Sequence, residues 1–210
     1  MIGQGVLREA LMDDAVEEVI AIGRHAPAAR HPRLRSIVHE NLFDLSPIAQ
    51  QLGPVDACLF CLGVSSVGME QEQYHRITHD LTLSVARFLL NRDRNIGFLY
   101  ISGAGTSRQS RAAWARIKAQ TEDDLLAMPF RLACMLRPGV IVPLHGIRSR
   151  TPFYQVFYTV LRPILPVLRR FPKHVTTTEQ LGRAMLSVAR SGTGHRILES
   201  EDINQVGSIK

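Results

Sequence analysis

The chain has 210 residues, 45% of them hydrophobic, so it is long enough to bury one full core as a single domain. Its net charge of +6 favours an anionic partner, and the absence of RNA-reading motifs and zinc-finger spacings predicts no nucleic-acid partner. Three cysteines in apolar runs form no disulfide framework, which predicts a reducing, cytoplasmic location. The opening residues do not have the pattern of a signal peptide.

The first predicted elements are a helix over Met1 to Asp14 and a buried strand over Glu17 to Gly23. Gly3 at the start of the helix suits close backbone approach, either by a bound phosphate or by a neighbouring strand. Arg24 follows the strand directly, where a guanidinium can bind the ribose 2′-phosphate of NADP. The other arginines of segment 24–35 fit either such a pocket or a solvated loop.

Two further strands are predicted before the longest helix. The first runs from Leu34 to His39, and after it Ser46 is placed to cap a helix starting at Pro47. The second runs from Val55 to Leu62 and ends at Gly63, where the missing side chain allows close approach of a ligand.

The longest predicted helix spans Gly68 to Asn91 and carries His75 and His79 one turn apart, with Asp80 beside them. This spacing suits two metal ligands on one helix face. Zinc sites use at least three protein ligands, and no second cluster of histidines and cysteines supplies the rest. We therefore expect a polar helix face and no metal site.

The stretch from Phe98 to Thr121 predicts a buried strand, a turn of small residues and a helix. In open α/β sheets, ligands bind at the carboxyl ends of the strands. Ser102 at the strand end and Lys118 on the following helix are therefore candidate catalytic residues. Trp114, the only tryptophan, lies one turn before Lys118.

The last third begins with a strand over Phe130 to Leu136, followed by the turn Arg137-Pro138-Gly139. Residues 152–172 are apolar but interrupted by charge and proline. They suit either a helix of a small substrate lid around 145–175 or contact with a membrane surface. A capping box from Thr176 to Glu179 starts a helix that ends at Gly192. A short strand from His195 to Glu199 and a polar tail complete the chain.

Alternating helices and buried strands predict an α/β fold with a doubly wound parallel sheet. In motif order the chain resembles the short-chain dehydrogenase/reductase superfamily, in its extended or atypical epimerase/dehydratase-like branch. The resemblance implies a Rossmann-like domain over 1–210 that binds NADP, or NAD. It assigns cofactor contacts to Gly3, Arg24, Asn41, Leu42, Leu62, Gly63, Lys118, Pro138 and Gly139.

Two departures from the family pattern matter. The first strand and the first two glycines of the phosphate loop are missing, so we expect a truncated N-terminus or a start at an internal methionine. The family's catalytic tyrosine is Trp114, whose indole does not titrate usefully. The resemblance thus implies either an oxidoreductase or epimerase-like enzyme acting on a small molecule, or a non-catalytic NADP-binding regulatory or scaffold protein. Relatives often pair through helices, so a homodimer is also expected.

Overall fold

The computed structural model describes residues 1–146 and 173–208. Within them, parallel strands alternate with helices, as the sequence predicts. The strands are β1 Val19–Gly23, β2 Leu34–Val38, β3 Ala57–Phe60, β4 Gly97–Ile101, β5 Leu132–Arg137, β6 Val140–Val142, β7 Val175–Thr177 and β8 Ile197–Glu199. The helices are α1 Ile2–Met12, α2 Gln71–His75, α3 Leu81–Arg92, α4 Ala113–Ala127, α5 Thr178–Ser191 and α6 Ser200–Gly207. A 3₁₀ helix, Ser46–Gln51, and a π-helical turn, Arg76–Asp80, complete the described elements.

The strands form parallel pairs throughout. β1 pairs with β2, a four-stranded sheet has the order β3-β4-β5-β8, and β6 pairs with β7. In the described part of the chain no strand joins β1 to β3, which is where the sequence predicts a missing first strand. The carboxyl ends of β3, β4 and β5 lie along one edge of the sheet, and this edge carries the candidate site.

β4 lies at the centre of the core, and all five of its residues are buried. Because side chains alternate between the faces of a strand, Phe98 and Tyr100 contact one apolar cluster while Leu99 and Ile101 contact another. The first cluster lies under α3 and α4, and the second lies under α1 and α5. A strand covered on both faces is uniformly apolar, which explains why the sequence pattern identified β4 clearly.

Helix α1 packs closely on α5 because glycines stand at their contact. A Cβ on Gly5 would lie 2.7 Å from Thr178 Cβ, and one on Gly182 would lie 2.8 Å from Glu9 Cγ. Glu9 is buried at this contact and forms ion pairs with Arg8 and Arg183. Gly5 therefore serves the packing of α1 against α5.

Several predicted boundaries are wrong for local reasons. Ser46 makes no side-chain cap, because the Asp44 carboxylate accepts from the Ser46 N–H at 2.9 Å. The helical region predicted from Gly68 begins at Gln71, and Gly68 has a φ of 74°. The cap of α5 is Thr177, whose Oγ1 accepts from the Gln180 N–H at 3.0 Å, because β7 continues to Thr177 and the helix begins at Thr178.

The polar C-terminal tail is helix α6, which the sequence analysis did not predict. Glu199 and Asp202 form the capping box at its start, and Ile203 is buried. The predicted lid and membrane-contacting segment 152–172 lie outside the described residues. Among the described helices, none is both long and apolar enough to cross a membrane.

Candidate functional site

Ser102 follows β4 directly and is held in place from both its backbone and its side chain. Its N–H donates to the Leu136 carbonyl at 2.7 Å, and its Oγ lies 3.2 Å from Thr106 Oγ1. Thr106 in turn donates to the Gly103 carbonyl at 2.7 Å. The hydroxyl of Ser102 is therefore fixed at the carboxyl end of the central strand. Thr106 was not predicted as a site residue, because it belongs to no recognisable motif.

Lys118 extends from α4 to the same strand end. Its Nζ donates to the Ile101 carbonyl at 3.2 Å, so the ammonium lies beside the peptide that leads into Ser102. Desolvation on burial lowers the pKa of this amine from 10.5 to about 8, and the nearby Glu122 partly opposes the shift. The Lys118 amine thus lies at the strand end that carries Ser102, and its pKa of about 8 is close to neutral pH.

Tyr100 is the aromatic neighbour of Lys118. The ammonium lies 3.5 Å from the Tyr100 hydroxyl and 5.1 Å from the centre of its ring. Tyr100 is only 1% exposed, and burial raises the pKa of its phenol well above the usual range. Tyr100 and Ser102 share a strand face because they are two residues apart, which is the signal that could have linked Tyr100 to this site.

Trp114 packs over the turn that follows β4. A Cβ on Gly103 or on Gly105 would lie 3.9 Å from its ring, and Gly105 has a φ of 83°, which favours glycine. The indole therefore lies beside the segment that carries Ser102, one helical turn before Lys118. Because indole N–H only donates, Trp114 shapes this end of the sheet without supplying a titrating group.

The turn after β5 is tied to the turn after β4, because Ala104 N–H donates to the Pro138 carbonyl at 3.0 Å. Gly139 N–H donates to Ser200 Oγ at 2.8 Å, and a Cβ on Gly139 would collide with the His174 carbonyl oxygen. Chain packing alone thus accounts for this glycine. A dinucleotide contact at Pro138 and Gly139 stays a prediction.

Arg137 precedes that turn and anchors it to α4. Its Nε donates to Glu122 Oε1 at 3.0 Å, and its Nη1 lies 3.3 Å from Glu199 Oε1. Glu122 is 1% exposed and would be costly to bury without this partner. Because Arg137 holds Glu122, the carboxylate nearest to Lys118 along α4 is already neutralised.

Arg24 is exposed at the carboxyl end of β1, and within residues 1–146 and 173–208 no hydrogen bond or ion pair engages it. Two nearby arginines have structural partners instead. Arg33 donates to the Leu11 and Asp13 carbonyls at 2.6 and 2.7 Å, and Arg35 binds Glu18 at 2.7 Å. Among the described residues, Arg24 and Arg30 are therefore the arginines of segment 24–35 without such a partner, and Arg24 is the one that directly follows β1.

The remaining predicted cofactor contacts are placed as follows. A Cβ built on Gly3 would lie 3.5 Å from Cys61 Cβ, so the start of α1 lies beside the end of β3. Gly63 is exposed, with open space where its Cβ would be. Asn41 forms a local turn, accepting from Phe43 N–H at 3.2 Å. The Leu42 and Leu62 side chains contact the core, which leaves only their backbone for a ligand.

A groove of about 610 Å³ lies at the opposite edge of the sheet and includes Leu132 at the start of β5 and Gly192 at the end of α5. The two arginines that line this groove are both bound to other residues of the chain. Arg131 donates to the Asn95 carbonyl at 2.8 Å, and Arg190 pairs with Asp13. Ser102 and Lys118 do not line this groove, so we place the candidate site at the carboxyl ends of the strands.

Comparison with known proteins gives both sequence relatives and fold relatives. No protein-family model matches the chain. "Protein fmp52-1, mitochondrial" of Aspergillus oryzae is 29% identical over 147 residues, and "Protein FMP52, mitochondrial" of Eremothecium gossypii is 30% identical over 142 residues. Each match covers 67% of this chain, and the chain spans only 62% of the length of either relative.

Solved structures share the fold at low sequence identity. An ElxO variant with NADPH bound has a TM-score of 0.69 at 12% identity, over 97% of this chain and 94% of its own. A short-chain dehydrogenase/reductase from Saccharomyces cerevisiae has a TM-score of 0.66 at 11% identity, and the match covers 96% of this chain and 92% of that protein. WbmF of Bordetella bronchiseptica, in complex with NAD+, has a TM-score of 0.65 at 13% identity, and the match covers 97% of this chain and 73% of WbmF. The predicted Rossmann-like fold of short-chain dehydrogenases/reductases is confirmed.

The expected cytoplasmic location is wrong. It was inferred from free cysteines in apolar runs, and both of the fungal relatives are named as mitochondrial proteins. Free cysteines are typical of any reducing compartment and do not distinguish one from another.

Proposed function

We propose that this chain belongs to the short-chain dehydrogenase/reductase superfamily, binds NADP in preference to NAD, and reduces a carbonyl group of a small molecule. One observation carries the proposal. The Lys118 ammonium binds the Ile101 carbonyl at the carboxyl end of β4, next to Ser102 in the chain, and ligands of open α/β sheets bind at such strand ends. The fold relatives that bind NADPH or NAD+ support the choice of cofactor class.

The residues at this edge fit a nicotinamide dinucleotide. Gly63 leaves open space at the end of β3, and the Lys118 ammonium has hydrogen-bonding capacity beyond Ile101 and Tyr100 for ribose hydroxyls. Arg24 is the cation that would bind the 2′-phosphate. Gly3 would face the pyrophosphate, since helix N-termini favour phosphate, while Asn41, Leu42 and Leu62 would border the adenosine and Pro138 and Gly139 the nicotinamide.

The chemistry divides between the cofactor and the side chains. A bound NADPH supplies two reducing electrons as hydride, and the protein must supply the proton. Ser102 would turn its hydroxyl proton from Thr106 Oγ1 to the substrate carbonyl oxygen, because Thr106 donates its own proton to Gly103 and can only accept from Ser102. Lys118 would provide the proton, because an amine with a pKa of about 8 is mostly protonated at neutral pH and still acidic enough to transfer it.

A second function is favoured by one specific observation. Trp114 fills the position of the family's catalytic tyrosine and packs on the glycines beside Ser102. The neighbouring phenol of Tyr100 is buried and is a much weaker acid than usual. If Lys118 does not transfer the proton, the site binds a dinucleotide without turning it over. The protein would then act as an NADP-binding regulatory or scaffold protein.

NADPH oxidation measured against a panel of aldehydes and ketones separates these functions. The enzyme proposal predicts turnover by the wild type and a loss of about 100-fold or more in kcat for Lys118→Met, which removes the acid. Lys173→Met is the matched control, because Lys173 is an exposed lysine far along the chain. Turnover should be unchanged in that control.

The other outcomes are equally informative. NADPH binding without turnover in the wild type, unchanged by Trp114→Tyr, would support the non-catalytic function and refute the enzyme. Turnover that appears only in Trp114→Tyr would show that the site lacks an acid, which contradicts the role of Lys118. Failure to bind NADPH at all would refute both functions.

A further inference from the structure

A cluster of two histidines and two aspartates joins the π-helical turn to α4, outside the strand-end site. His79 is 9% exposed, and its two ring nitrogens lie 2.7 Å from Asp80 Oδ1 and 2.8 Å from Asp124 Oδ2. His75 Nδ1 lies 3.4 Å from the same Asp80 oxygen, and the two imidazole rings are 4.5 Å apart. One atom from each of His75, His79 and Asp80 lies within 4.8 Å of the others.

The π-helical turn explains how three such side chains come together. In an α-helix, residues three or four apart share a face, so His75 and His79 are neighbours but Asp80 is not aligned with them. Hydrogen bonding from residue i to i+5 aligns His75 with Asp80 as well. The regular helix predicted from the sequence would place only His75 and His79 on one face.

The charge of the cluster suits a divalent cation. In the described part of the chain, the ion pairs of Asp80 and Asp124 are made to histidines alone, with no lysine or arginine. The adjacent Arg76 lies instead over the Phe43 ring, 5.3 Å from its centre. When an ion displaces the proton between His79 Nδ1 and Asp80 Oδ1, the imidazoles are neutral and the charge of one divalent ion balances the two carboxylates.

A second cluster of histidine and carboxylate side chains shows the difference. Glu9, His145 and Glu179 also place ligand atoms within 4.8 Å of one another. There, Arg8 pairs with Glu9, and Arg183 lies 3.2 Å from Glu9 and 2.7 Å from Glu179. Guanidinium groups already neutralise those carboxylates, so that cluster is an ion-pair network that links α1 to α5.

We propose that His75, His79 and Asp80 bind a divalent transition-metal ion of the zinc type, with Asp124 as the positioning residue. Ligand atoms about 2.0 Å from a tetrahedral zinc are about 3.3 Å apart, which is close to the 3.4 Å between His75 Nδ1 and Asp80 Oδ1. The 2.7 Å His79–Asp80 contact would open by about 0.6 Å as the ion replaces the shared proton. Asp124 would accept from the other ring N–H of His79, as carboxylates commonly do behind a metal-bound imidazole.

A water molecule would be the fourth ligand of the ion. His75 and Asp80 are 34% and 50% exposed, so an ion can reach it from solvent. Bound there, the ion would fasten the turn between α2 and α3, which His79 already links to α4. Hard cations such as Mg²⁺ and Ca²⁺ prefer oxygen ligands, so they should not compete at this site.

Calorimetric titration with Zn²⁺ tests the proposal on untagged, chelator-treated wild-type protein, with Co²⁺ absorption as a readout of tetrahedral ligation. We expect one ion per chain and no response to Mg²⁺. His75→Ala and Asp80→Asn are the variants of choice because both side chains are partly exposed, whereas the buried His79 ring links the π-helical turn to α4 and its loss would destabilise that contact. Both should reduce Zn²⁺ affinity about 100-fold or more, and His25→Ala, an exposed histidine elsewhere, should leave it unchanged.

The role of Asp124 has its own readout. Asp124→Asn should weaken Zn²⁺ binding about 10- to 100-fold, and Asp124→Glu should recover part of the loss. Unchanged affinity in Asp124→Asn would contradict the positioning role. A wild type that binds Zn²⁺ no better than His75→Ala, or an equal loss in His25→Ala, would overturn the site. None of these measurements depends on the dinucleotide.

Discussion

Replacing Lys118 by methionine should make the ligand-free protein more stable, because the native fold buries an ammonium group. The pKa of Lys118 falls from 10.5 to about 8 on folding. Each pKa unit corresponds to 1.36 kcal/mol, so keeping the buried amine charged at neutral pH costs about 3 kcal/mol. Methionine has similar length and no charge. Its gain is offset by loss of the Ile101 and Tyr100 hydrogen bonds, which leaves a net stabilisation of about 1–3 kcal/mol at pH 7.

The stability difference between Lys118→Met and the wild type should also depend on pH. Below pH 8 the amine is protonated in both the folded and unfolded states, so the full cost applies. Between pH 8 and 10.5 the unfolded state binds more protons than the native state, and wild-type stability therefore rises with pH. The stability advantage of Lys118→Met should shrink by about 1 kcal/mol between pH 7 and pH 9.

Urea unfolding of wild type and Lys118→Met at these two pH values measures the effect. Other groups that titrate in this range, such as histidines and the terminal amine, contribute equally to both proteins and cancel in the difference. Lys173→Met should track the wild type at both pH values, because Lys173 is exposed. A Lys118→Met protein less stable than wild type, or a stability gap that does not change with pH, would refute the buried ammonium.

Three further predictions concern other parts of the site and its support. Arg24→Glu should lower NADPH affinity about 10- to 100-fold and affect NADH little; titration of both dinucleotides checks this, and an equal loss would refute the 2′-phosphate assignment. Gly5→Ala should cost about 1–3 kcal/mol in urea unfolding, because its Cβ would meet Thr178 at 2.7 Å, whereas Gly63→Ala should cost little and mainly weaken NADPH binding. Glu122→Ala should cost about 3–5 kcal/mol by leaving Arg137 without its buried partner, and a cost below 1 kcal/mol would contradict the role assigned to that ion pair.

The parts of the fold that the sequence predicts best are those in which one interaction dominates. The β4 strand is covered on both faces, so its residues form an uninterrupted apolar run that can be recognised directly. Ser102 and Lys118 lie at one strand end, because parallel topology fixes where a strand end and the next helix meet, and their catalytic roles stay predictions.

Local competition between neighbouring groups explains what the sequence did not predict. Thr176 and Thr177 have the same chemistry, and the boundary of β7 decides which of them caps α5. The turn at Arg76–Asp80 packs against α4 and has no glycine or proline to mark it, so no local feature of the sequence predicts its π-helical form. Arg24 and Arg33 look equivalent in an arginine-rich segment, and only the carbonyls within reach of Arg33 distinguish them.

Calorimetric titration of NADPH into the wild type and into Lys118→Met tests the central claim most directly. The claim is that the β4 strand end is a dinucleotide site anchored by Lys118. It predicts saturable NADPH binding by the wild type, at least tenfold weaker binding by Lys118→Met, and no change in Lys173→Met. A wild type that does not bind NADPH, or a Lys118→Met protein that binds it equally well, would contradict the claim.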